Sequence, residues 1–164
     1  MRKLLERSAR QYRSSKEIDT MKATLPAKLL SQPASDLMTK EVHFIHTADS
    51  IIETFQKFNP ERHSFYPVVD SLSKKLKGVI AHEELYDFVQ LNGLEDSATI
   101  QSINCCPLPA VCQATSIADC LETMIRGGSN KLLVLDERET LQGILSIRDV
   151  LAAAVESKLA VILE

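Results

Sequence analysis

The apolar positions of this 164-residue chain form a pattern that occurs twice. Val42-His43-Phe44-Ile45 reads as a strand, and Ser50-Ile51-Ile52-Glu53 opens a helix with a capping box that runs to Phe58. Tyr66-Pro67-Val68-Val69-Asp70 is an apolar run too short for a helix, so it reads as a buried strand ending in a turn. Leu76-Lys77-Gly78-Val79-Ile80-Ala81 is the returning strand, and residues 82–91 form a helix with Leu85, Phe88 and Val89 on its apolar side. A polar stretch containing Gly93 follows, and the order then recurs. Pro109-Ala110-Val111-Cys112 is a strand, and Ser116-Ile117-Ala118-Asp119 opens a helix that stops at Gly127-Gly128. Leu132-Leu133-Val134-Leu135-Asp136 and Gly143-Ile144-Leu145-Ser146 are strands, and residues 147–158 form the closing helix.

The two copies are in register. Ser116, Ile117 and Asp136 each lie 66 residues after Ser50, Ile51 and Asp70, and Gly143 lies 65 after Gly78 because the second hairpin is one residue shorter. Each copy has the order strand–helix–strand–strand–helix. A unit of about 50 residues is marginal alone, whereas two can pack together and share a core. Residues 1–31 predict a helix that Pro26 interrupts, with Ala27–Leu30 as a short second piece. The expected class is α+β, with two β-α-β-β-α units behind an N-terminal helix. The expected boundaries are a helical arm over 1–32, a first unit over 33–92, a linker and entry segment over 93–104, a second unit over 105–158 and a tail over 159–164.

Composition adds a charge asymmetry. Residues 1–22 hold seven Lys/Arg against Glu6, Glu17 and Asp19, a net of +4, while the rest holds twelve basic against nineteen acidic residues, a net of −7. The basic arm reads as a solvated helix face or as a segment beside an anionic membrane surface. No apolar run approaches the roughly 20 residues that span a bilayer, and the charged N-terminus lacks the apolar core of a signal peptide. Cys105, Cys106, Cys112 and Cys120 form no C-x-x-C pair, which argues against a zinc site or a disulfide framework. They read as reduced, mostly buried residues of a cytosolic protein.

The candidate chemistry lies at the junction of the last strand and helix. Ser146 can accept from the first free N–H groups of the helix, and Asp149 can reach back to it. One reading is a capping box. The other is an open strand–helix corner whose carboxylate, with two acceptor oxygens, suits the paired hydroxyls of a ribose.

The sequence resembles a tandem pair of CBS domains, the Bateman module. The residues that carry the resemblance are Asp36-Leu37-Met38-Thr39, Tyr66-Pro67-Val68-Val69-Asp70, Gly78-Val79-Ile80, Leu133-Val134-Leu135-Asp136 and the run from Gly143 to Leu151, together covering about residues 33–155. The resemblance implies two units paired about a pseudo-twofold axis, clefts that bind adenine nucleotides, and pairs that dimerise. The family's ribose pattern, a Gly, then Ser or Thr three residues on, then Asp three further, is met by Gly143, Ser146 and Asp149. In the first unit Ala81 and Glu84 replace the hydroxyl and the Asp, which implies one competent cleft and one weak or empty one. By position the base would lie near Met38, Val42 and His43 and beside His63 and Ser64, and the phosphates would meet Lys131, with Arg148 in the same turn. Competing readings stand beside these: Lys131 as an edge-strand charge, and His43, His46, His63 and His82 as surface or satisfied polar residues without metal-like spacing.

The expected function is a regulatory module, not an enzyme, that takes an adenine nucleotide (AMP, ADP or ATP) as regulatory ligand, needs no cofactor and binds no nucleic acid. Sequence reasoning finds no catalytic arrangement or phosphate-binding Gly loop. The alternatives are a ligand-free homodimerisation module and the cytosolic tail of a transporter such as a CLC-type chloride channel.

Overall fold

The computed structural model describes residues 15–58, 63–93 and 97–163. Most of the expected basic arm, residues 1–14, lies outside them. The N-terminal part gives α1 (Ser15–Thr24), α2 (Ala27–Leu30) and α3 (Ala34–Leu37). Pro26 stands at the N-cap of α2 with φ −59° and ψ 134°, so the proline ends one helix and starts the next.

The first repeat follows as β1 (Ile45–His46), α4 (Ile51–Lys57), β2 (Phe65–Val69), β3 (Leu76–Ala81) and α5 (His82–Asn92). The second is β4 (Ala110–Cys112), α6 (Ile117–Arg126), β5 (Lys131–Leu135), β6 (Leu141–Ser146) and α7 (Ile147–Leu163). Each repeat is a three-stranded sheet whose middle strand runs parallel to the first and antiparallel to the last. The strand–helix–strand–strand–helix order therefore stands in both copies. β1 is shorter than the expected strand over 42–45, because only Ile45 and His46 pair, with Val68 and Val69, while His43 and Phe44 are exposed.

Packing divides the chain differently from the sequence repeat. One compact unit holds the second repeat together with the described residues up to Val42; the other spans His43–Pro107 and takes in Arg138–Thr140. The reason lies in the segments that lead into each repeat. Thr39 exchanges N–H···O bonds of 2.9 and 3.0 Å with Ile144 on β6, so the chain before the first repeat is zipped to the last strand of the second. Cys106, in the segment before β4, makes the same exchange with Val79 on β3, at 2.8 and 2.9 Å.

Each unit has its own core. In the second-repeat unit Ile117, Leu121 and Met124 of α6 meet Leu132, Val134 and Leu145 of the sheet and Val150 of α7, and Leu29 and Ala34 close it from the N-terminal side. Lys22 of α1 reaches Glu122 of α6 at 3.1 Å, and Met21 packs on the same core. In the first-repeat unit Ile51, Val68, Ile80 and Leu85 are joined by Ile100 and Ile103. The expected linker over 93–104 is thus partly core. Its residues are tied to the start of α4 by Ile51 N–H to the Ala98 carbonyl at 3.1 Å and Ile100 N–H to the Asp49 carbonyl at 2.9 Å.

Candidate functional site

The corner at the β6–α7 junction is built as the sequence predicts. Asp149 Oδ2 accepts from the Ser146 N–H and from the Ser146 hydroxyl, both at 2.7 Å, and the Asp149 N–H points back to Ser146 Oγ at 3.4 Å. Both accepted bonds fall on Oδ2, so Oδ1 carries none from the described residues. Asp149 and Ser146 are half-buried, so the carboxylate remains within reach of solvent. The capping reading is therefore realised, and it occupies one oxygen of the two.

Lys131 joins this corner through strand register, since it pairs with Ser146 across β5 and β6. It stands on the middle strand of its sheet, which corrects the edge-strand reading. Its backbone is fixed by Ser129, whose hydroxyl accepts from the Lys131 N–H at 3.1 Å and donates to its carbonyl at 2.8 Å. Burial, reinforced by the neighbouring Arg148, holds the Lys131 ammonium below the usual lysine range, and Asp149 acts in the opposite sense. Lys131 and Arg148 thus stand within electrostatic range of one another, and Lys131 within range of the Asp149 carboxylate.

Met38 is brought to the same unit. An ideal Cβ on Gly143 would stand 2.6 Å from Met38 Sδ and 2.8 Å from the Thr39 carbonyl oxygen, so glycine is needed for the entry segment to lie on β6. Val42 is half-buried at the end of that segment, its N–H bonded to the Lys40 carbonyl at 3.1 Å.

The equivalent corner of the first repeat differs. Ala81 offers no side-chain acceptor, so half of the capping box remains: the Ala81 N–H donates to Glu84 Oε2 at 2.6 Å. The other oxygen, Oε1, accepts from the Cys106 thiol at 3.3 Å. Burial, then the charge of Glu84, pushes that thiol up to about 11, so it stays protonated at neutral pH.

His43, His63 and Ser64 belong to the first-repeat unit. The rings of His43 and His63 lie 5.5 Å apart, and His63 meets Tyr66 edge-on at 5.3 Å. Together they line a cavity of about 540 Å³ whose wall also includes Phe58, Glu53 and Lys57. Ser64 is exposed ahead of β2 and does not line it. Sequence reasoning missed Glu53, Lys57 and Tyr66 as cavity residues; the i,i+4 spacing of Glu53 and Lys57 on α4 was the available signal. His82 packs between Phe55 and Phe58, each ring 5.3 Å away, as a core-flanking aromatic. The cysteines correct an expectation: Cys120 is fully buried, Cys105 and Cys106 are half-buried, and Cys112 is exposed. No cluster of three or more His, Cys, Asp or Glu suited to a metal occurs among the described residues. No helix among them is long and apolar enough to cross a membrane.

With two in-register β-α-β-β-α copies and these corners, the chain belongs to the CBS-domain family, whose model matches residues 34–90 and 100–156. A protein of Methanocaldococcus jannaschii is 27% identical over 129 residues, which is 77% of this chain and 46% of that relative; the match spans less than half of its length. Among solved structures, the CBS domain of a bacterial CNNM/CorC family Mg2+ transporter in complex with ATP superposes with a TM-score of 0.63 at 22% identity, covering 78% of this chain and 90% of that one. CBSX2 in complex with AMP gives 0.61 at 24% identity, covering 77% and 98%. The CBS domain of a putative transporter from Clostridium difficile 630 gives 0.62 at 18%, covering 79% and 98%. At these identities the likeness establishes the fold.

Proposed function

We propose that the chain is a regulatory module that binds an adenine nucleotide and reports its presence to a transporter of which it is part or with which it associates. The ribose hydroxyls take the free Oδ1 of Asp149, whose orientation is fixed by the two Ser146 bonds to Oδ2. The phosphates lie toward Lys131 and Arg148, where a bond to a charged group contributes about 1.5–3 kcal/mol. The base lies toward Met38 and Val42. The observation that carries this reading is the half-satisfied carboxylate beside two cations, the lysine of which is partly desolvated. An incoming phosphate would offset the repulsion between Lys131 and Arg148.

The ATP and AMP complexes of similar folds support the ligand class, and the transporter origin of several neighbours supports the partner. An adenine nucleotide and four cysteines outside any disulfide suit a cytosolic setting. A ligand favouring one arrangement of the repeats would shift their equilibrium, which is the coupling a partner can read.

The test is a thermal melt of the full chain with AMP, ADP, ATP and S-adenosylmethionine. Ligand at 100 times its dissociation constant adds about 2.7 kcal/mol, enough to raise Tm by roughly 5–10 °C in a protein of this size. At least one adenine nucleotide is expected to do so. A chain purified empty that shifts with none of them contradicts the reading.

A further inference from the structure

We propose that the strand–helix corner of the first repeat is occupied by the chain itself, the Cys106 thiol standing on Glu84 where a ligand hydroxyl would otherwise bind. The comparison between the two corners carries this. Asp149 spends one oxygen on its own helix cap and keeps the other. Glu84 spends one oxygen on the Ala81 N–H and the other on the Cys106 thiol. Both carboxylate oxygens of the first corner are thus engaged within the unit.

The thiol does not arrive by chance of a loop. Cys106 is held by paired backbone bonds to Val79, and the approach is close enough that a Cβ on Gly78 would stand 2.7 Å from the Cys106 carbonyl oxygen and 2.9 Å from Cys105 Cβ. Gly78 itself sits at φ +147°, which favours glycine. The residue at the matching place in the second repeat is Thr39, paired with Ile144 as Cys106 is with Val79. Thr39 is exposed, and among the described residues Ser146 is the only hydrogen-bond partner of the Asp149 side chain. Of the two equivalent entry segments, the one carrying Cys106 therefore occupies its corner's carboxylate, and the one carrying Thr39 makes no hydrogen bond to the Asp149 side chain among the described residues. A protonated thiol is the donor this contact requires, and the raised titration of Cys106 agrees with that. The three changes act together: Ala81 removes the hydroxyl, the longer Glu84 brings its carboxylate to the thiol, and Cys106 caps it. The consequence, which rests on the proposed nucleotide binding, is that each chain offers one sugar-binding carboxylate and not two.

The pairing is tested without any ligand by following alkylation of Cys106 with iodoacetamide in the full chain at pH 8, read by peptide mass spectrometry. Glu84→Gln removes the charge that, after burial, holds the Cys106 thiol in its protonated form, and a lowered thiol pKa raises the thiolate fraction; a severalfold rise in the Cys106 rate is expected, with Cys112 unchanged. An unchanged or slower Cys106 rate overturns the pairing, with circular dichroism reporting whether the variant is folded. Should Glu84→Gln not fold, Glu84→Asp, which withdraws the carboxylate by one methylene, serves the same assay. The consequence is tested by ATP titration: one site per wild-type chain, and a second in the Ala81→Ser/Glu84→Asp/Cys106→Ala variant. Two sites in the wild type overturn the closed corner, whereas no binding at all contradicts the proposed function and leaves the alkylation result to decide the pairing.

Discussion

Met38 Sδ lies 2.6 Å from the place a Cβ on Gly143 would occupy, and the Thr39 carbonyl oxygen lies 2.8 Å from it. A side chain at 143 would push the entry segment off β6 and strain the Thr39–Ile144 bonds. Gly143→Ala is expected to cost about 1–3 kcal/mol, the usual range for overpacking. The Met38 thioether can swing away, but the Thr39 carbonyl is backbone and cannot. Urea denaturation measures the loss; a variant as stable as the parent would mean the entry segment is not held there.

Ile100 is 1% exposed and packs with Ile51, Val68 and Ile80, although it lies in what the sequence presents as a linker. Ile100→Ala is expected to destabilise the chain by about 2–5 kcal/mol, as truncations in a core do. Exposed Gln101 next to it provides the contrast, since Gln101→Ala should change stability by less than about 0.5 kcal/mol. Equal effects from the two substitutions would contradict the packing described for this segment.

Lys22 and Glu122 join α1 to α6, and Arg126 reaches the same carboxylate. The hydrogen bond from Lys22, then the charge of Arg126, holds the Glu122 carboxyl below its ordinary range. Its folded pKa is therefore below the unfolded one. The contribution is fully present above the unfolded value near 4.5 and is lost as pH falls through the folded value. Amide exchange in α1 should accelerate relative to α6 as pH falls below about 4.5, after correction for the intrinsic rate, and Glu122→Gln should remove that acid dependence. Identical corrected profiles in parent and variant would show that the pair does not hold α1.

The repeat was legible in the sequence because strand runs and capping signals recur at a nearly constant offset. Ser50 and Ser116 cap their helices, accepting from Glu53 N–H at 3.5 Å and Asp119 N–H at 3.2 Å. Ser146 and Asp149 were legible as a pair from their helix spacing, whereas Lys131 entered only through the family resemblance, and the strand register that sets it opposite Ser146 is seen in the structure. The crossing of the entry segments was not. Thr39 pairs with Ile144, 105 residues away, and such a bond leaves no periodic trace in either segment. Nor was the Glu84–Cys106 contact legible, for the cysteines read from the sequence as buried packing residues rather than as donors. The cavity that His43 and His63 line also takes in Glu53 and Lys57 of α4, which the strand and helix pattern alone does not place beside the histidines.

Ser146 serves both the cap and the orientation of Asp149. Ser146→Ala removes the hydroxyl bond and keeps the 2.7 Å bond from its own N–H to Oδ2. The expected cost is about 1 kcal/mol, within the range for a lost cap. Nucleotide affinity should fall by less than with Asp149→Ala, because the carboxylate remains. An affinity loss as complete as that of Asp149→Ala would place the hydroxyl itself on the ligand.

The central claim is that the free oxygen of Asp149 grips a sugar. Isothermal titration of the full chain with ATP, ADP and AMP tests it most directly, comparing the parent, Ser146→Ala as a cap-loss control, and Asp149→Ala. The account predicts saturable one-site binding of at least one nucleotide to the parent, weakened binding to Ser146→Ala and none to Asp149→Ala. Equal affinity in the parent and Asp149→Ala, or no heat from any nucleotide with the parent, would contradict it.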